Sequence, residues 1–262
     1  MTPWVGRLLA ANAIMYLASQ VYPVLFYQLL LVPALIPIRP WTLVTYMFLH
    51  DRGGFAHILF NMLALYFFGS RVETRIGSRH FIWLYLVSGI AGGLLSLAFT
   101  PRAYIIGASG AVFGVSFAFA YFWPRERIYI WGVLPIEARW LVILTAAIAL
   151  FGGFTGAQGG VAHFAHLGGY VGGWFYLWWM DRRAKAGRRA WQAKVAAPAG
   201  AVDARRVDTI DLSRIHPVNR DEVNRILDKI RVSGIDSLTS EERTFLSHFA
   251  GPKTASDAPQ VQ

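Results

Sequence analysis

The chain has 262 residues, 55% of them hydrophobic and only 15% charged, which is too apolar for an ordinary water-soluble protein of this length. Its formal net charge of +10 could suggest nucleic acid, but it divides into ten arginines against four acids over residues 1–180 and fifteen basic against eleven acidic residues over the remainder. Membrane topology and anionic lipid account for that pattern without nucleic acid, and the absence of cysteine excludes disulfides and thiolate chemistry.

Six apolar runs lie near Arg7–Tyr27, His57–Gly69, Phe81–Phe99, Ala108–Trp123, Trp140–Phe154 and Ala162–Met180. Each approaches the ~20 residues that span hydrocarbon, so the pattern predicts an all-α polytopic bundle of six transmembrane helices over residues 1–181. The first run is long and has no cluster of positive charge before it, which reads as an anchor rather than a cleavable signal. The connection that follows, about Gln28 to Ala56, carries Pro33, Pro37 and Pro40 yet stays apolar through Leu29–Ile38. It is expected to sit partly in the outer leaflet, its backbone protected by protein or by short helices of its own.

Arginines assign the orientation. Arg71, Arg75 and Arg79 follow the second run, Arg125, Arg127 and Arg139 surround the fourth-to-fifth connection, and Arg182, Arg183, Lys185, Arg188 and Arg189 follow the sixth. The opposite connections carry only Arg39, Arg52 and Arg102. Positive charge marks the cytoplasmic side, so both termini are expected there, in a multi-pass protein of an inner or plasma membrane. His57, Ser109 and His166 then fall near the start of three inward-running helices, at one depth near the outer surface.

Beyond Met180 the composition changes. Residues 182–208 read as a basic, Ala-rich linker and 209–250 as a small two-helix cytosolic module, with 251–262 a disordered tail. Asn219 to Glu222 offers a cap before Val223, Ile226, Leu227 and Ile230 at helical spacing, and Thr239-Ser-Glu-Glu242 offers a capping box before Phe245, Leu246 and Phe249. Ser233-Gly234 joins the two.

The polar residues at membrane depth suggest a chemistry, because such groups usually face a bundle interior or a cavity where they have a task. A serine hydroxyl needs a base to take its proton and donors aimed at the oxyanion that forms. Ser109 is the candidate nucleophile and His166 the base. Gly107 permits an unusual backbone before the helix, while Gly110 and Gly114 on one helix and Gly169 and Gly173 on the other give small faces that pack closely. His57 and Asn61, four residues apart, share a helix face and can donate toward one point together with the Ser109 N–H. His163 lies about a turn nearer the surface and reads as a rim residue. No carboxylate lies in these helices near this depth, Asp51 being in the outer loop and Glu73 at the cytoplasmic end, so a dyad is favoured over a triad. Ala111 stands where a soluble nucleophile elbow has its last glycine, and no strand-helix alternation surrounds it. A metal site from His50, His57, His163 and His166 lacks both the His-Glu-x-x-His spacing and an acidic ligand. Neither a metal nor a cofactor is expected.

The strings His57-Ile-Leu-Phe-Asn61, Gly107-Ala-Ser109-Gly110 and Ala165-His166-Leu-Gly-Gly169, in that order on helices two, four and six, resemble the rhomboid family of intramembrane serine proteases over about Trp41 to Met180. The resemblance implies an endopeptidase in which Ser109 and His166 form the dyad and His57 and Asn61 help the oxyanion hole. It implies transmembrane protein substrates with locally unstable helices and small residues at the cleaved bond. Two positions depart from the family pattern: Trp41 is followed by Thr42 rather than arginine, and Phe113 stands where tyrosine is often found, although its ring can still stack on the histidine. The tail is similar to modules attached to some bacterial homologues, and reads as a stabilising appendage or a docking place for a cytosolic partner. A noncatalytic binder of membrane helices is the alternative function, although a binder needs neither Ser109 nor His166.

Overall fold

Helices occupy all six apolar runs in the computed structural model, which describes residues 1–130, 132–156, 162–196, 207 and 210–249. Helix α1 (Pro3–Val21) stops where Pro23, which has no N–H to continue the ladder, opens α2 (Pro23–Leu29). The long connection after it contains the short helix α3 (Thr42–Thr45) and single turns at Pro33–Leu35 and Tyr46–Phe48. Leu31 and Ile105 exchange two backbone hydrogen bonds, N–H of Leu31 to O of Ile105 at 3.1 Å and the reverse at 2.8 Å, which tie this connection to the segment before Ser109.

The second run is one continuous helix in three parts. Helix α4 (Ala56–Ala64) passes through a wide π turn, Leu65–Gly69, into α5 (Ser70–Ile76). Gly77, at φ +83°, ends it in a conformation that favours glycine. Then come α6 (Ser78–Phe99), α7 (Ser109–Phe122), α8 (Ala138–Thr155) and α9 (His163–Ala196). Among the described residues, α6 with 22 residues and α8 with 18 are by length and composition able to cross hydrocarbon, and α7 is a shorter apolar helix. Helix α9 continues past Met180 to Ala196, so part of the stretch read as a linker is helical. The rest of that stretch, apart from Val207, and the terminal 251–262 lie outside the described residues.

The all-α expectation needs one correction. Between α7 and α8 the chain forms an antiparallel hairpin of β1 (Arg127–Ile130) and β2 (Leu134–Glu137), with Arg127 opposite Glu137 and Ile130 opposite Leu134. The sequence Arg-Ile-Tyr-Ile alternates with period two and is rich in β-branched and aromatic residues, a strand pattern too short to register against the helical runs around it.

Two compact units result, Met1–Arg182 and Arg183–Gln262. In the first, α6 lies at the centre, with Phe81, Leu84, Tyr85, Ser88, Gly89, Gly92, Gly93 and Ser96 all buried. Helix α9 seats on it and on α7 through glycines. A Cβ on Gly168 would meet the backbone of Ala91 and Gly92, one on Gly169 would overlap the Gly110 carbonyl, and one on Gly173 would lie 2.9 Å from Gly114 Cα. Large side chains on the outside of the bundle stay open, among them Phe67 at 61% and Phe151 at 68%, a surface that water does not favour and hydrocarbon does.

The second unit has its own core of Ile215, Val223, Ile226, Leu238 and Leu246. Its first helix runs Pro217–Ser233 and is capped by His216, whose Nδ1 accepts from Val218 N at 3.4 Å, so it begins ahead of the expected Asn219 cap because Pro217 suits the first helical position. The second, Ser240–Ser247, carries the capping box: Thr239 Oγ1 accepts from Glu242 N at 3.2 Å, and Glu242 Oε2 accepts from Thr239 N at 2.9 Å.

Glu73 holds the start of α1. Its carboxylate accepts from Trp4 N at 3.0 Å, Val5 N at 3.0 Å and the Ser78 hydroxyl at 2.6 Å, while the residue is 2% exposed. A helix with no acid in its own first turn and no side-chain cap thus receives both from α5. Burial pushes the Glu73 carboxyl up, but the hydrogen bonds from Ser78, Trp4 and Val5 outweigh it and hold the pKa below its ordinary 4.5. Glu73→Ala should cost about 2 kcal/mol or more, seen as a lower apparent Tm of the purified protein in detergent. The stability gap between wild type and Glu73→Gln should be full above pH 4.5 and close as pH falls through the lowered pKa. A gap that widened with acid would contradict this assignment.

Candidate active site

The segment before α7 is shaped by its backbone. Gly107 sits at φ +113°, and its N–H donates to the Tyr46 carbonyl at 3.0 Å, which fixes the turn that delivers Ser109 to the first turn of α7. Tyr46 is itself pinned to α6, its hydroxyl donating to the Gly89 carbonyl at 2.8 Å. The first N–H groups of α7 have no partner within the helix, so the end that presents Ser109 also presents donors and the positive end of the helix dipole.

His166 lies in the first turn of α9, and its Nε2 is 2.8 Å from Ser109 Oγ. The two are brought together by the glycine contacts of α9 with α7, since any Cβ on Gly169 would push the helices apart. Phe113, one turn into α7, stacks on the imidazole with centroids 4.2 Å apart and planes at 10°. Tyr170 tilts against the same phenyl ring at 5.1 Å and shares a 2.6 Å hydroxyl hydrogen bond with Thr145 of α8. The ring of His166 is therefore held on one face by an apolar stack that is in turn held by α8.

His57 faces the same space from α4. A Cβ built on Gly107 would lie 2.7 Å from His57 Nε2 and 3.7 Å from Ser109 Oγ, so the room left by that missing side chain is bounded by both groups. The other ring nitrogen, Nδ1, accepts from the backbone N–H of Asp51 at 3.3 Å. With Nδ1 the acceptor, the proton of a neutral imidazole sits on Nε2, aimed toward Gly107 and Ser109. His50 packs edge-on against His57, ring centroids 5.1 Å apart, and is fully buried.

Asn61 is placed on the same helix face, buried at 6%, but its amide nitrogen donates to the His57 carbonyl at 2.8 Å. That bond closes one turn of its own helix and leaves one amide proton for any other acceptor. His163 is not at the rim: it is 6% exposed, with its ring over Gly152 of α8 and its centroid 6.5 Å from that of His166. The absence of a Cβ on Gly152 opens the seat that draws it inward. Among the described residues, no group of three or more His, Cys, Asp or Glu is disposed to hold a metal ion. Tyr46, the Asp51 N–H and His50 belong to no motif in the sequence.

The rhomboid domain model matches residues 37–183, which include every group described above. The chain belongs to the rhomboid family. Membership makes it a multi-pass membrane protein, in keeping with the apolar exterior of the helices. It is 34% identical over 142 residues to the mitochondrial rhomboid protein 1 of Saccharomyces cerevisiae, covering 52% of this chain and 41% of that protein. It is 33% identical over 165 residues to RHOMBOID-like protein 4 of Arabidopsis thaliana, 59% of this chain and 40% of that protein. With the rhomboid protease GluP of Bacillus subtilis the identity is 35% over 135 residues, 52% of this chain and 25% of that protein. The chain thus spans less than half the length of each of these three relatives. A second match, to a family of unknown function (DUF6576), covers residues 217–251.

Gly107 carries a prediction. Gly107→Ala places a methyl group against His57 Nε2 and forces a side chain into positive φ. The variant should remain membrane-inserted with a Tm lowered by a few degrees. Reactivity of Ser109 toward a fluorophosphonate probe should fall by at least about 10²-fold, the scale of a lost oxyanion donor. Unchanged labelling would show that the space between His57 and Ser109 plays no part in the reaction of the serine.

Proposed function

We propose that this rhomboid protein is an intramembrane serine endopeptidase that hydrolyses peptide bonds in or near transmembrane segments of other membrane proteins. The observation that carries the reading is the 2.8 Å contact of Ser109 Oγ with His166 Nε2, with His57 Nε2 close against Gly107 beside it. His166 takes the serine proton as Oγ bonds to the scissile carbonyl carbon, and the oxyanion accepts from the Ser109 N–H, His57 Nε2–H and the second amide proton of Asn61. His166 then gives its proton to the leaving amine, the C–N bond breaks, and a water activated by the same imidazole hydrolyses the acyl-enzyme. Gly107, Gly110 and Gly169 serve by close approach, and Phe113 by holding the base in plane.

A peptide bond inside a helix is shielded by its own turns, so the substrate must unwind locally to present its carbonyl. Six crossings with both termini cytoplasmic fit the arginine pattern and place Ser109 toward the outer surface. The module matching residues 217–251 is proposed to be a docking or stabilising unit.

The test uses the purified full chain in liposomes with a single-span substrate. Ser109→Ala and His166→Ala should each reduce cleavage by roughly 10⁴-fold or more, and the double variant should be no worse than either, because the two act as one proton-transfer unit. His57→Ala and Asn61→Ala should lower kcat by roughly 10²–10³-fold with little change in KM. His163→Ala should stay within about 10-fold of wild type, below the effect of a lost general base. Cleavage surviving in Ser109→Ala would remove Ser109 as the nucleophile, and wild-type protein that folds and binds substrate without cleaving it would replace the protease with a binder of membrane helices.

A further inference from the structure

Along α4 and α5, from Phe60 to Arg75, run two cavities that share Arg71 and are lined by none of His57, Ser109 or His166. The first is an apolar groove of about 770 Å³ whose walls include Phe60, Leu63 and Phe67 of the second run and Ile128 and Ile130 of β1. Its mouth carries Arg71, Glu126 and Arg127. The second is a cleft of about 510 Å³ lined by Ser70, Arg71, Thr74, Arg75 and Trp123 among others. Arg71 lines both.

The chemistry of the two halves differs in a way that describes an amphiphile. Phe60 and Phe67 leave 50% and 61% of their surface open, so the groove is accessible from the side, where a membrane protein meets acyl chains. The cationic end holds Arg71, Arg75 and Arg127 against a single lining acid, Glu126, which already pairs with Arg71 at 2.7 Å. Glu73, nearby on α5, is buried with its oxygens engaged by α1 and Ser78. The guanidinium of Arg71 lies over Phe119 and Trp123 at 5.2 and 4.8 Å, and that of Arg75 over Phe122 at 5.6 Å. These stacks orient the arginines while leaving N–H donors free for an anion. The Ser70 hydroxyl is buried without a hydrogen-bond partner. From His57 to Arg71 is about 21 Å along a helix at 1.5 Å per residue, so the arginines sit at headgroup depth for the leaflet opposite the serine.

We infer that this paired groove and cleft bind one anionic phospholipid, an acyl chain along Leu63, Phe67 and Ile128 and the phosphate among Arg71, Arg75 and Arg127. Charge complementarity selects it over a zwitterionic lipid, since the site has cations in excess and no second acid to take a choline.

The experiment is native mass spectrometry of the full chain released from mixed phosphatidylcholine and phosphatidylglycerol bilayers, with titration of phosphatidylglycerol into delipidated protein in neutral detergent. Wild type should retain one phosphatidylglycerol and no phosphatidylcholine. Arg75→Gln with Arg127→Gln should weaken binding by about 30-fold, two arginines at the usual surface contribution. The same positions changed to lysine should recover most of it. Leu63→Trp, which narrows the groove and touches no charge, should also weaken retention, and glycerol phosphate without an acyl chain should not compete. The result does not depend on proteolysis, since Ser109→Ala protein should bind the lipid equally. Equal retention of phosphatidylcholine, indifference to the arginine pair, or full competition by glycerol phosphate would overturn the site. So would displacement of the lipid by a single-span peptide at equal concentration, which would give the groove to a protein helix instead.

Discussion

Backbone-to-backbone contact through glycine is the constraint from which the arrangement of the first unit follows. Helix α9 cannot reach α6 and α7 unless Gly168, Gly169, Gly172 and Gly173 lack side chains, because the positions their Cβ atoms would fill are occupied by carbonyls and Cα atoms of the neighbours. In hydrocarbon there is no hydrophobic drive to bring helices together, so tight van der Waals packing and what it permits must do so. Here it permits a short contact between two polar side chains on different helices, Ser109 and His166, with no third residue bridging them.

The site is then made specific by backbone rather than by charged groups. The Asp51 N–H selects the protonated nitrogen of His57, the Tyr46 carbonyl holds Gly107 in its turn, and the Gly89 carbonyl anchors Tyr46. Carbonyls and amides are the natural partners at this depth, since each costs several kcal/mol if left unsatisfied in hydrocarbon while a carboxylate costs more to place. A serine and an imidazole can be served by such partners. Among the described residues of the first unit, the buried carboxylate is Glu73, outside the site, where three donors surround it.

Much of this was legible in the sequence because it depends on local pattern. The apolar runs gave the helices, and glycines at i and i+4 on two runs gave the faces that meet. Ser109 and His166 could be placed together from those faces, and Phe113 beside them from the resemblance to the rhomboid family. The hairpin of Arg127–Glu137 was not legible, being a period-two signal of four residues inside a charged connection. The hydrogen bond of Asn61 to the His57 carbonyl was not either, because a helix face tells which residues are neighbours but not whether an amide turns outward or back onto its own backbone. His163 shows the same limit from the other side: its depth depends on how the preceding helix folds back to place Gly152 against it, which its own helix face does not tell.

The π turn at Leu65–Gly69 has a bearing on how one helix can serve two ends of the molecule. A turn closed by a bond one residue longer than in the α form amounts to a single inserted residue accommodated without breaking the rod. Everything beyond it is rotated by about 100° relative to an uninterrupted helix, the angular step of one residue. The azimuth of Arg71, Glu73 and Arg75 is therefore offset by that step from where a regular helix would set it relative to His57 and Asn61. Removing one residue from that turn would restore a regular helix and, in the same act, swing Glu73 away from the start of α1.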